Sequence, residues 1–191
     1  MTEIRFHGRG GQGTVVAAVI LAKAFFRAGF QVQTFPVFGV ERRGAPVEAY
    51  LRLDDKKILA RTNVYTPDHV VVQDRTLLQN IDVTRGLKPG GWILINAPES
   101  FTGTPAFGAF SVATVDATRI ALSHKLGSRT HPIVNTAMIG AFASLLEMPP
   151  LADIAQAIGE EIQIETESNI RAAEDASRGL RRLGRTGGNH G

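Results

Sequence analysis

Residues 6–15 read FHGRGGQGTV, and the reading of these four glycines decides the fold. The stretch fits G-x-G-x-x-G, from Gly8 through Gly10 to Gly13. Just before it, Ile4-Arg5-Phe6-His7 alternates apolar and polar side chains and predicts a short strand. Just after it, Thr14–Ala28 is apolar nearly all round, which predicts a well-buried helix, stopped by Gly29 as a C′ glycine. Phe30–Phe35 then alternates again as a second strand. Strand, glycine turn, helix and strand make the βαβ unit of a parallel α/β sheet, a Rossmann-like start.

A dinucleotide loop of the usual kind also needs an Asp or Glu at the end of the second strand, for the ribose hydroxyls. No Asp or Glu occurs between Ile4 and Val40. Gln12 occupies a position where close approach to a pyrophosphate favours a small residue. NAD is therefore disfavoured, and no Arg ends the second strand to favour NADP. The exposed N–H groups and dipole of the helix N-terminus still favour an anion. His7, Arg9, Arg42 and Arg43 fall on two loops that a parallel sheet brings to its carboxyl edge. Such a basic, glycine-rich edge suits a phosphate-bearing ligand or an acidic face of another subunit. The competing reading makes Arg42 and Arg43 plain solvated charges.

The rest of the chain continues the α/β pattern. Pro36, Gly39, Gly44 and Pro46 mark a loop, and Val47–Leu53 alternates as a strand. Asp54-Asp55-Lys56-Lys57 reads as a hairpin turn into Ile58-Leu59, which makes the sheet mixed. His69–Gln73, Trp92–Asn96 and Phe110–Val115 are further strands, with Glu99–Gly108 a loop. Asp116 is placed to cap a helix over 117–125. Ile133–Met148 predicts a long buried helix with Asn135-Thr136 as its cap, Leu151–Ile158 a shorter one, and Ile162–Leu183 a charged last helix. The chain reads as a single domain over 1–183 with a disordered tail over 184–191.

Composition narrows the function. Of 191 residues, 43% are hydrophobic and 20% charged, enough for an ordinary core, and a net charge of +3 falls short of a nucleic-acid binder's excess. The N-terminus lacks a signal-peptide pattern, and the most apolar stretch is too short to span a bilayer, so a cytoplasmic protein is expected. There is no cysteine, so this chain alone builds no iron–sulfur cluster or thiolate zinc site. The five histidines are scattered, with His124 and His131 at no metal spacing, and no G-x-S-x-G occurs. A pocket edge without chemistry of its own suggests a subunit of an enzyme.

Three segments carry a family resemblance: IRFHGRGGQG at 4–13, FPVFGVERRGAPVEAYLRLDDKKI at 35–58 and YTPDHVVVQDRTLL at 65–78. They resemble the gamma subunit of pyruvate:ferredoxin (or flavodoxin) oxidoreductases. NTAMIGAF at 135–142 and ESNIRAAEDA at 167–176 extend the likeness more loosely. The resemblance implies a three-layer α/β/α domain with a mixed, mostly parallel sheet. It implies a complex that converts a 2-oxoacid and coenzyme A to acyl-CoA, carbon dioxide and two electrons for ferredoxin or flavodoxin. Thiamine diphosphate and magnesium belong to the alpha and beta subunits, and 4Fe–4S clusters to the delta or beta parts. This chain is expected to hold no cofactor or metal, and to meet neither nucleic acid nor membrane. The ERRG form of the second loop points to pyruvate, with 2-oxoisovalerate, 2-oxoglutarate and indolepyruvate as alternatives. The expected working surface is His7, Arg9, Gly10, Gly11, Gln12, Gly13, Glu41, Arg42, Arg43 and Gly44, on the coenzyme A side or at a subunit interface. A reading from another class is a free-standing phosphate- or nucleotide-binding module.

Overall fold

The computed structural model describes residues 1–37, 44–103, 107–108 and 110–184. Among these residues seven strands form one mixed sheet: β1 (Thr2–Arg9), β2 (Gln31–Val37), β3 (Pro46–Asp54), β4 (His69–Val72), β5 (Trp92–Asn96), β6 (Ser111–Val115) and β7 (Arg181–Gly184). Their order is β2-β3-β1-β4-β5-β6-β7. The centre, β1-β4-β5-β6, is parallel, with Ile4 opposite His69, His69 opposite Trp92 and Trp92 opposite Ser111. The α/β class and mixed sheet expected from the sequence are what the chain forms.

The first unit is a split βαβ. β1 and β2 run the same way, joined by α1 (Thr14–Arg27), but β3 lies between them, antiparallel to both. The hairpin is therefore β2–β3, a correction to the expected hairpin at 54–57. The polar turn does end β3, but no strand follows it. Both edges of β3 are already paired, and Leu59 is exposed.

Among the described residues, one face of the sheet carries all five α-helices: α1, α2 (Ala117–Ser123), α3 (Asn135–Leu146), α4 (Leu151–Glu161) and α5 (Thr166–Arg178). Ile4, Phe6, Leu51, Val71, Leu94 and Ala113 point into that layer, against Phe25, Phe142 and Ile158. The opposite face is covered by a 3-10 turn (Arg75–Gln79) and by loops, around Val70, Val72, Ile93, Ile95 and Phe107. No helix of the described residues is long and apolar enough to cross a membrane.

Two helix expectations need correction. The charged last helix stops at Arg178, its C-cap is Gly179, and the chain then returns as β7 against β6. Its buried face is alanine (Ala172, Ala173, Ala176), packed on α3. Asn135 and Thr136 do not cap α3 from outside. Both lie buried within its first turn: Asn135 Oδ1 accepts the Thr136 N–H, and Thr136 Oγ1 donates to Asn169 of α5. Asp116 does cap α2, accepting the Arg119 N–H. Gly184 closes β7, and the remainder of the expected tail lies outside the described residues.

Candidate functional site

β1 and β4 are parallel neighbours whose chains leave in opposite directions, one through α1 toward β2, the other toward β5. The loops after them diverge, and that leaves a crevice at the carboxyl edge, the topological switch point where open α/β sheets bind ligands.

The glycines give this edge its shape. A Cβ at Gly8 would fall 2.0 Å from Thr14 Oγ1 and 2.8 Å from Gln73 Oε1. A Cβ at Gly13, whose φ is +73°, would fall 2.5 Å from Asn135 Nδ2. At both positions the close neighbour is the chain's own side chain. At Gly11 a Cβ would meet nothing within 4 Å, so that part of the loop is open. Gly10 and Gly44 tie the two loops together: Gly10 N–H donates to Ala45 O at 2.9 Å, and Gly44 N–H to Gly10 O at 3.1 Å. Glu41, Arg42 and Arg43 lie outside the described residues.

Arg9 and Gln12 converge on Asp74, just beyond β4. Arg9 Nε donates to Asp74 Oδ2 at 3.1 Å, Nη2 to Thr76 Oγ1 at 2.7 Å and Nη1 to Gly44 O at 3.0 Å. Gln12 Nε2 donates to the same Asp74 oxygen at 3.0 Å, while its Oε1 accepts the Arg9 N–H at 2.8 Å. Burial alone would raise the Asp74 pKa. Hydrogen bonds from Thr76 and Gln12, with the Arg9 charge, outweigh it and hold the carboxyl below its ordinary value. Arg9 is thus a clasp between loops, with its fork already engaged.

His7 stands apart from the edge. It points to the opposite face of the sheet, 2% exposed, where its Nε2 accepts from Arg5 Nε at 3.0 Å. Its Nδ1 faces Glu48 Oε1 at 3.5 Å. Burial pushes its pKa down to about 4, so the ring is neutral near pH 7. It belongs to a polar layer with Arg5, Glu48, Tyr50 and Arg52, held under the loops that cover this face.

The crevice itself encloses about 570 Å³, bordered by Gln12, Gln73, Asp74, Asn96, Thr118 and Arg119. A second hollow of about 410 Å³ adjoins it, between the glycine loop and the turn at Thr130–Pro132, and brings His131 to the same edge. Asn96 spans the crevice, donating to Gln73 O at 2.9 Å and to Thr118 Oγ1 at 3.0 Å. Gln73 is fully buried. Its Oε1 accepts the Thr14 hydroxyl at 2.7 Å, but among the described residues its Nε2 has no partner. Buried polar groups are normally satisfied, so this donor, buried just behind the crevice wall, stands out.

The sequence reading missed Gln73, Asp74, Thr76 and Asn96. A signal for two of them was present. Gln73-Asp74 follows the apolar run Val70–Val72 as the glycine loop follows β1, and parallel neighbours place such turns side by side. Among the described residues no three His, Asp or Glu come together to hold a metal ion. The edge presents amides, hydroxyls and paired ions.

Fold and crevice together define an α/β domain with a mixed sheet and an open crevice at its carboxyl edge. The chain belongs to the pyruvate ferredoxin/flavodoxin oxidoreductase family, whose pattern matches residues 3–179. It is 50% identical over 177 residues to the pyruvate synthase subunit PorC of Methanocaldococcus jannaschii, covering 92% of this chain and 95% of that one. It is 49% identical to the pyruvate/ketoisovalerate oxidoreductases common subunit gamma of Thermococcus kodakarensis, at the same coverage. Among solved structures it is similar to the pyruvate oxidoreductase subunit PORC of Thermotoga maritima. That match has a TM-score of 0.79 and 34% identity, and covers 95% of this chain and 97% of that one.

Proposed function

We propose that this chain is the gamma subunit of a cytoplasmic pyruvate-type 2-oxoacid:ferredoxin oxidoreductase, inactive alone. In the complex, pyruvate and coenzyme A become acetyl-CoA, carbon dioxide and two electrons, which pass to ferredoxin or flavodoxin. Alpha and beta subunits would carry thiamine diphosphate and magnesium, and a ferredoxin-like delta subunit the 4Fe–4S clusters. The observation that carries this reading is similarity along nearly the whole chain to subunits named for pyruvate oxidation or synthesis. The relatives named for both pyruvate and ketoisovalerate make 2-oxoisovalerate the nearest alternative substrate.

In this reading the carboxyl-edge crevice faces coenzyme A. Gln73 supports that placement: it borders the crevice, and a ligand oxygen that reached its amide would satisfy a donor that no described residue satisfies. The test is the reconstituted complex, with Gln73→Leu. A rise of about tenfold in the KM for coenzyme A with assembly intact is expected, equivalent to one lost hydrogen bond to a charged group. Weakened assembly with an unchanged KM would make the edge a subunit interface instead. The switch-point crevice also suits a free-standing nucleotide module, and isothermal titration of the isolated chain with NAD, NADP and coenzyme A separates that reading. Tight NAD or NADP binding would favour it.

A further inference from the structure

The two outer edges of the sheet are built differently. β7 is short, carries Arg181 and Arg182, and its pairing with β6 has a register shift between Val112 and Ala113. Charge, brevity and irregularity are the usual devices that keep an edge from pairing with another chain. β2 has few of them. It is seven residues long, and it pairs with β3 along its full length, from Gln31 opposite Asp54 to Val37 opposite Glu48. No charged residue occurs from Phe30 to Val40, and Pro36 alone interrupts its N–H groups. Among the described residues no strand lies on its outer side.

An apolar groove of about 700 Å³ runs beside this open edge. Its floor is one stripe of α1 (Val19, Ala22 and Phe26), and Val32 and Thr34 of β2 form its wall. Phe26 is 63% exposed, an unusual place for a phenylalanine at the end of an otherwise buried helix. The cations at the rim are already satisfied within the chain: Lys23 pairs with Glu161 at 2.7 Å, and Arg27 with Glu160. The groove therefore asks for no charge from an occupant. The groove lies toward the end of the sheet where α1 finishes and β2 begins, away from the carboxyl-edge crevice, so a segment seated there leaves the crevice open.

We propose that the β2 edge and its groove receive an extended, uncharged segment of another subunit of the oxidoreductase, which adds an eighth strand to the sheet. The occupant's chemistry follows from the surface. An open row of backbone donors and acceptors, about 23 Å long at ~3.3 Å per residue, is matched by a strand. A neutral apolar groove on one side of that row is matched by alternate apolar side chains. The inference rests on the gamma-subunit reading.

The test compares hydrogen exchange in the isolated chain and in the complete enzyme purified with its natural subunits. The β2 amides that do not bond to β3 should exchange at least about tenfold more slowly in the enzyme. Phe26→Asp and Phe26→Lys, each made in the full complex, should weaken retention of this chain about tenfold while the isolated variants melt as the wild type does, since Phe26 is largely exposed in the isolated chain. Unchanged β2 exchange on assembly, or full retention of both variants, would overturn the proposal. Protection of β2 in a homodimer of the isolated chain would also overturn it, since the occupant would then be a second copy. Failure of the wild-type chain to join alpha and beta subunits at all is a different result, and would sink the subunit reading itself.

Discussion

Gly13→Ala tests whether the last glycine of the motif serves a ligand or the chain's own packing. Its φ of +73° costs a residue with a Cβ about 1–2 kcal/mol. The new Cβ would also lie 2.5 Å from Nδ2 and 3.0 Å from Cγ of Asn135, which is itself buried and hydrogen-bonded. Overpacking of that kind adds about 1–3 kcal/mol. The total of about 2–5 kcal/mol corresponds to a loss of roughly 5–15 °C in Tm for a chain of this size. Gly11→Ala is the control: φ is +94°, but nothing lies within 4 Å, so only the backbone term of about 1–2 kcal/mol applies. Calorimetry or circular-dichroism melts of both variants, with Asn135→Ala in the Gly13→Ala background, separate the terms. The double variant should lose less than the sum of the two single losses. If Gly13→Ala costs no more than Gly11→Ala, the close approach to Asn135 is not what requires glycine there.

Three further outcomes follow from the buried polar groups. His7 has a folded pKa depressed to about 4, so the unfolded chain binds its proton first as pH falls. Its contribution is present above about pH 6.5 and is lost as pH falls toward 4, about 3 kcal/mol in all. Urea midpoints over that range should flatten in His7→Gln relative to wild type, and parallel curves would contradict the assignment. Arg52 is 1% exposed, pairs with Glu3 Oε1 at 2.8 Å and holds Thr62 O at 2.7 Å. Arg52→Met should cost about 3–5 kcal/mol, because it strands the Glu3 carboxylate, and Glu3→Gln should recover part of the loss. A cost below about 1 kcal/mol in urea unfolding would refute that account. Asp74→Ala should destabilise the chain by about 1–3 kcal/mol and speed amide exchange around the glycine loop, since it removes the shared acceptor of Arg9 and Gln12. Unchanged exchange there would mean that the clasp does not order the loop.

The parts of the fold legible in the sequence are those where one element states its own environment. Thr14–Arg27 is apolar nearly all round and is a buried helix, and the continuous apolar run Trp92–Ile95 forms a central strand. Pairing was harder. Nothing in Val47–Leu53 says that both of its edges are taken, so the hairpin was assigned to the wrong turn. The last helix hid its core face because Ala172, Ala173 and Ala176 carry little hydropathy, and β7 hid behind two arginines. The site was legible at its glycine loop. His7 was misplaced because strand alternation put it on the far face. Asp74 and Gln73 were missed because they become partners of the loop only when β4 pairs with β1, 65 residues from Arg9 to Asp74 along the chain.

The most direct test of the whole account is reconstitution. The alpha, beta and delta subunits that the proposed function calls for are combined with and without this chain, and pyruvate- and coenzyme A-dependent ferredoxin reduction is followed. The account predicts turnover only when this chain is present, and none from the chain alone. Full turnover by the other three subunits without it, or pyruvate oxidation by the chain on its own, would contradict it.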